Sequence, residues 1–342
     1  MKGGNAMLSV LIIGAGTMGR THTRAYQQMK NVHIAGIVDI QKPDWLKHDP
    51  LAISFYSSWE DAIDQIKQID VVDICLPTFL HKEYVMKAAG LGKHVICEKP
   101  IARTLDDAKE MIDFCNRQGV QLFIGHVVRF FPEYRMAKSV IQSNAIGTAK
   151  VVKTSRRSSF PSSWNDWYSD QGSSGGLILD LVIHDFDFLR WCFGEVERVY
   201  GKSLYGKGHA GKEYALITLR FKNGMIAQVE GSWSHQKFAT SFEFAGDKGA
   251  VEYDSTKERP FVAALDQKLQ KEPPATIPRS PIKESPYYKE LAHFMECIEK
   301  RSEPLVTPED GLQALRIALA AIQSIAENRP VEIEEQLLEI RR

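Results

Sequence analysis

The sequence lacks a surplus of either charge. Its 43 Lys and Arg residues balance 43 Asp and Glu, so nothing marks the excess basic surface of a nucleic-acid binder. It also lacks any apolar run approaching the roughly 20 residues of a membrane span. The five cysteines, Cys75, Cys97, Cys115, Cys192 and Cys297, are far apart and contain no C-x-x-C pair. Such a set fits buried thiols in a reducing compartment better than a disulfide framework. The opening residues leave no room for a signal-peptide core with its cleavage site, so a cytoplasmic location is expected. There is no internal repeat and no low-complexity segment. Asp180, His184 and Asp187 have a conceivable ligand spacing, but no second histidine accompanies them, and no metal is expected.

At 342 residues the chain is too long for one ordinary core, and two domains are expected. Short apolar strands over 8–13, 32–39, 71–76, 94–97 and 121–125 alternate with helices over 17–29, 80–89 and 105–118. That rhythm predicts parallel strands covered by helices on both faces. Thr104 with Asp107 is a helix-start pattern. Beyond Gly125 the rhythm changes to a helix over 130–142, a strand over 150–157, a Ser- and Trp-rich loop over 158–174 and a helix over 176–193. Alternating runs from Val196 to Tyr253 then read as an antiparallel meander, with Phe221-Lys-Asn-Gly224 as a hairpin turn. A Pro-rich irregular connection is expected over 259–286, and two helices over 287–299 and 309–327. The predicted seam lies near Gly125, giving domains 1–125 and 126–342.

Gly14-Ala-Gly16-Thr17-Met18-Gly19 follows the first strand and opens a helix. Glycines at this spacing allow a tight turn, close approach of backbone amides to a pyrophosphate, and close helix–strand packing. Asp39 ends the next strand, 20 residues beyond Gly19 (39 − 19), where a carboxylate can accept hydrogen bonds from both ribose hydroxyls. The same charge repels a 2′-phosphate, so NAD is expected ahead of NADP, with Arg20 and Lys42 as opposing influences.

Cys97-Glu98-Lys99-Pro100, together with Gly175-Gly-Leu-Ile-Leu-Asp180-Leu-Val-Ile-His184-Asp-Phe-Asp187, resembles the glucose–fructose oxidoreductase / inositol dehydrogenase / MocA family. The resemblance extends to Leu76-Pro77-Thr78 with His81 and to Thr307-Pro-Glu-Asp-Gly311. It implies an α/β Rossmann domain followed by an α+β domain with a large, mostly antiparallel sheet, whose open face commonly makes a dimer or tetramer interface. By that resemblance Lys99, Asp180 and His184 form the catalytic set. Asp180 and His184, four apart on a predicted helix, share one face. Imidazole titrates near neutrality and suits a base that takes a hydroxyl proton, and an ammonium at Lys99 can steady a developing alkoxide.

Leu76, Pro77, Thr78 and His81 are expected to border the cofactor, and Glu98 to reach its nicotinamide ribose. Arg129 either lines the cleft or forms a structural ion pair. Trp164, Trp167 and Tyr168 either stack on a sugar-like ring or clamp their own loop. The expected activity is NAD-dependent hydride transfer at a secondary alcohol of a cyclitol, sugar or sugar derivative. Two rivals are a glycoside-cleaving enzyme of the same fold that retains its NAD, and a non-catalytic NAD-binding regulator.

Overall fold

Strands that are apolar on both faces are stable only where helices cover both sides, and the first part of the chain is built this way. The computed structural model describes residues 7–47, 52–162, 164–204, 213–257, 260–265, 276–277 and 284–333. It divides the chain into two units, residues 1–130 with 283–312, and residues 131–282 with 313–342. In the first unit lie β1 (Leu8–Ile13), β2 (Val32–Val38), β3 (Phe55–Tyr56), β4 (Val71–Ile74), β5 (His94–Glu98) and β6 (Leu122–Gly125). They pair in the order β3-β2-β1-β4-β5-β6, parallel throughout. This is the doubly wound order, whose ligands bind beyond the carboxyl ends of the strands where the order reverses, here between β1 and β4. The two-residue strand β3 was not anticipated, because it is too short to carry a periodic signal.

The division differs from the expected seam at Gly125. Helix Pro286–Lys300 belongs to the first unit, where Leu291, Phe294, Met295 and Ile298 join Val10, Ile12, Ile96 and Phe123 in one buried cluster. These four positions form a helical stripe. Their spacing announces a buried face, but not which sheet covers it. Phe294 lies 4.9 Å from Phe123 and 6.2 Å from Phe130 between ring centroids. The start of helix Pro308–Glu327 is fixed by a reciprocal cap: Asp310 N–H donates to Thr307 Oγ1 at 3.1 Å, and Thr307 N–H to Asp310 Oδ2 at 3.0 Å. That is the physical content of the Thr307–Gly311 pattern. Thr104 caps helix Leu105–Gln118 as expected, accepting from Asp107 N–H at 3.1 Å.

The second unit contains, among the described residues, β7 (Ala149–Ser159), β8 (Val196–Leu204), β9 (Tyr214–Phe221), β10 (Ile226–Ser232), β11 (Ser234–Gly246), β12 (Gly249–Asp254), β13 (Phe261–Leu265), β14 (Thr276–Ile277) and β15 (Val331–Glu332). They form one sheet ordered β14-β13-β12-β11-β7-β10-β9-β8-β15, in which only β7 and β10 run parallel. The Asn-Gly turn closes β9 onto β10, with Gly224 at φ +87° and its N–H on Phe221 O at 2.9 Å. The stretch 259–286, expected to be irregular, contributes β13 and β14; its residues 259, 266–275 and 278–283 lie outside the described set.

Alternate residues Val152, Val199, Ile217, Leu219, Val229, Phe244 and Val251 are buried on one face of this sheet. Phe188, from helix Ile183–Phe193, packs there at 5.6 Å from Phe244, and Tyr134, from helix Pro132–Gln142, at 5.3 Å from Phe242. Among the described residues no helix is long and apolar enough to cross a membrane.

Because Phe294 is fully buried in the first unit's core, Phe294→Ala should lower that unit's unfolding free energy by about 3–5 kcal/mol. Urea unfolding checks this. A loss below about 1 kcal/mol would show that the helix is not part of this core.

Candidate active site

The β1–helix turn is shaped by two close approaches. A Cβ on Gly19 would lie 1.9 Å from Gly14 O, and a Cβ on Gly14, at φ +98°, would lie 2.5 Å from Cys75 O. Only glycine fits either place. At Gly16 nothing stands within 4 Å of the corresponding point. Gly16 and Thr17 are exposed and Met18 half-buried at the start of helix Thr17–Tyr26. The helix's first amides therefore open toward solvent, as an anion requires.

Asp39 is tied to this loop: Ala15 N–H donates to its Oδ2 at 2.6 Å, and Gln41 N–H to its Oδ1 at 3.2 Å. A glycine cradle with open amides and a carboxylate anchored beside it fits a dinucleotide.

Leu76 and Pro77 are half-buried after β4, and Thr78 is buried at the start of a short 3₁₀ turn. His81 is fully buried. Its Nδ1 lies 2.9 Å from Pro100 O and its Nε2 2.9 Å from Leu76 O. It joins the loop after β4 to the loop after β5. Burial pushes the imidazole below its ordinary value, and a neutral ring has one N–H to give, so it donates to one carbonyl at a time. Lys99 is half-buried on the second of these loops, and its bond to Pro100 is cis.

Glu98 is buried at the end of β5. One carboxylate oxygen lies 3.1 Å from His22 Nε2, and the other accepts Lys99 N–H at 3.1 Å. On the other side of the same ring, His22 Nδ1 lies 2.8 Å from Asp73 Oδ2, which also accepts the Tyr26 hydroxyl at 2.8 Å. Burial pulls the His22 imidazole down, but Asp73 and its neighbours outweigh that, and it is held well above its ordinary value. The Cys75 thiol, pushed up to about 12 by burial and by Asp73, stays protonated. His22, Asp73 and Cys75 bring ligand atoms within 4.8 Å of one another. With Asp73 Oδ2 already shared by His22 and Tyr26, they read as a hydrogen-bonded cluster.

Sequence reasoning missed this assembly. One signal was available: Asp73 is a lone acid inside an apolar strand, where a charge persists only with partners.

Arg129 settles into the ion pair that was one of its two expected readings. It is buried, with Nη1 on Asp310 Oδ2 at 3.1 Å and on Leu305 O at 3.0 Å.

In the second unit the expected helix over 176–193 forms, but it passes through a π-helical turn, Ile178–Val182, before helix Ile183–Phe193. Asp180 sits in that turn and His184 at the start of the following helix. From Gly176 to Leu189 every residue is buried except these two, which are half-buried. A helix buried nearly all round thus keeps one partly open polar window, and π turns recur at functional sites. Leu177 N–H is capped by Glu213 Oε2 at 2.8 Å. Asp185, beside His184, is locked to Arg156 at 2.7 Å, and Arg156 in turn reaches the Tyr134 hydroxyl at 3.2 Å.

Tyr168 directs its hydroxyl at Asp180 Oδ1 across 3.5 Å, the long limit for such a bond. Its ring stacks on Trp167 at 4.1 Å and meets Trp233 edge-on at 6.1 Å. Trp233, which joins this aromatic group, was not foreseen because it lies 65 residues (233 − 168) further along the chain. The side chain of Trp164 lies outside the described set.

Residues 8–126 match the oxidoreductase family's NAD-binding Rossmann fold, and residues 138–333 match the same family's C-terminal alpha/beta domain. The chain is 30% identical over 333 residues to a myo-inositol 2-dehydrogenase of Thermotoga maritima, covering 95% of this chain and 98% of that protein. It is 30% identical over 274 residues to a 1,5-anhydro-D-fructose reductase of Ensifer adhaerens, covering 79% and 81%. A crystal structure of a probable dehydrogenase from Thermotoga maritima superposes with a TM-score of 0.80 at 29% identity, covering 96% of this chain and 99% of that one.

The raised His22 value has a consequence for stability. The unfolded imidazole titrates near pH 6.5, about its model-peptide value. The stabilisation from His22 is therefore complete below that pH and declines as pH rises toward the folded value, by up to about 1.4 kcal/mol per pH unit. Unfolding measured from pH 6 to 9 should show this decline in the native protein and a flatter profile in His22→Gln.

Proposed function

The chain belongs to the oxidoreductase family that joins an NAD-binding Rossmann fold to a C-terminal alpha/beta domain, and we propose that it oxidises a secondary alcohol of a cyclitol, sugar or sugar derivative with NAD. The observation that carries this reading is the polar window of Asp180 and His184 on an otherwise buried helix. The names of the inositol dehydrogenase and anhydrofructose reductase relatives support the substrate class.

Gly14, Gly16, Thr17, Met18 and Gly19 would hold the pyrophosphate. Asp39, with lone pairs left on both oxygens, would accept the ribose hydroxyls and repel a 2′-phosphate, favouring NAD over NADP. Leu76, Pro77 and Thr78 would border the dinucleotide. Bound NAD supplies the hydride acceptor.

The protein's own groups handle the proton. His184 takes the hydroxyl proton as the carbon–hydrogen bond breaks, leaving a ketone and an imidazolium. Lys99 donates a hydrogen bond to the same oxygen as negative charge develops there. Asp180 accepts a hydrogen bond from a substrate hydroxyl, and Tyr168 holds that carboxylate. The half-buried ring of Trp167 offers an apolar face to the carbon skeleton.

We also assign the outer face of the second unit's sheet to self-association. Tyr200, Leu204, Leu216 and Ile226 are exposed there, opposite the buried Val199, Ile217, Leu219 and Val229. These apolar side chains, interleaved with Lys202, Thr218, Arg220 and Glu230, suit an interface of mixed apolar and polar character.

NADH formation against a panel of inositols, aldoses and anhydrosugars tests the reaction. At least one cyclitol or sugar should reduce NAD, and a wholly silent panel would contradict the assignment. His184→Ala should lose about a thousandfold or more in kcat, at the upper end of general-base contributions, with NAD affinity unchanged; retained turnover would remove the base assignment. Asp39→Ala should weaken NAD binding and narrow the NAD/NADP ratio. Sedimentation should give a dimer or tetramer that Leu216→Glu dissociates.

A further inference from the structure

The first unit holds a charged assembly that the proposed chemistry leaves idle. His22 lies on the helix that the glycine loop opens, three residues beyond Gly19. Its ring stands between two buried carboxylates, 2.8 Å from Asp73 on β4 and 3.1 Å from Glu98 at the end of β5. The other groups facing it are the Cys75 thiol at 3.4 Å, the Tyr26 hydroxyl through Asp73, and the Tyr287 ring at 6.4 Å between centroids. Glu290, also buried, acts on Tyr26.

Two carboxylates buried this near a common centre repel each other unless a cation separates them. The imidazolium therefore draws Glu98 toward it by charge across 3.1 Å, without a hydrogen bond from Nε2. Gly125 leaves room for it from the other side: a Cβ there would stand 3.3 Å from the Glu98 carboxylate. So fixed, Glu98 accepts Lys99 N–H at 3.1 Å with its remaining oxygen.

We propose that His22 is a positioning residue for Lys99: by bridging Asp73 and Glu98 it sets the carboxylate that grips the Lys99 amide, and so aims the lysine side chain from its loop. The inference rests on the role given to Lys99 above. It links the glycine loop, β4 and the loop after β5 through one ring, so that the loop carrying the ammonium is set by the same helix that opens on the cofactor.

The test uses the full-length protein as His22→Asn and Gly125→Ala, each alone and with Lys99→Ala. NAD affinity is read by calorimetry, and kcat and KM on a substrate identified in the panel. The second variant presses on Glu98 while leaving every charge of the cluster in place. The expected result for His22→Asn is NAD affinity within about twofold of native, KM little changed, and kcat lowered about ten- to a hundredfold, the scale of a misaimed functional group. Gly125→Ala should move kcat the same way by less. In the Lys99→Ala background neither substitution should lower kcat further, because the group they aim is gone.

Equal fold-losses with and without Lys99 would overturn the proposal, since the cluster would then act elsewhere. So would unchanged kcat in both single variants, or loss of NAD binding in both, which would assign the cluster to the fold alone. Full turnover in Lys99→Ala by itself would overturn the Lys99 assignment and this inference with it. Additivity in a background that Lys99→Ala has crippled overturns this inference only.

Discussion

Gly19 sits so close to Gly14 that not even a methyl group fits between the first helix and the turn that leads into it. Much of the first unit follows from that approach. It fixes where the helix begins, and with it the Ala15 amide that holds Asp39 and the open amides at Gly16 and Thr17. One turn further along the same helix, His22 reaches Asp73 and Glu98, so the same constraint registers β4 and β5 against the glycine loop. His81 closes the arrangement by joining the loops after β4 and β5 through Leu76 and Pro100. The sheet order places all of this at the carboxyl ends of parallel strands, where such folds bind their ligands.

The second unit solves a different problem, the presentation of two polar side chains from a helix that is otherwise core. Buried neighbours on every side hold Asp180 and His184 in place, and the π turn adjusts their relative rotation. Below them the Arg156–Asp185 pair anchors the helix to β7. A buried guanidinium–carboxylate pair adds little net stability, but it fixes geometry, because either partner alone would be a stranded charge. The aromatic group of Trp167, Tyr168 and Trp233 ties the preceding loop to the same window.

The sequence carried local features well. The strand–glycine–helix turn, Asp39, the Thr104 cap, the Asn-Gly hairpin and the helix bearing Asp180 and His184 each depend on residues near one another in the chain. The features that escaped depend on distant partners. His22 and Asp73 are 51 residues apart, and Arg129 and Asp310 are 181 apart. Residue types do not reveal such pairings, nor that His81 and Glu98 tie the loops after β4 and β5 to their neighbours. The return of helix Pro286–Lys300 to the first unit escaped for the same reason: its apolar stripe says that it is buried, and the topology decides where. The shape of the loop before the Asp180 helix escaped too, because its residue types alone do not specify one.

The most direct test is a crystal structure of the protein with NAD and a polyol that it oxidises. The account predicts the pyrophosphate over Gly16, the Asp39 carboxylate within hydrogen-bond distance of the adenosine ribose hydroxyls, and His184 within hydrogen-bond distance of the hydroxyl on the reacting carbon. A dinucleotide seated away from the glycine turn, or a reacting hydroxyl met by neither His184 nor Lys99, would contradict it.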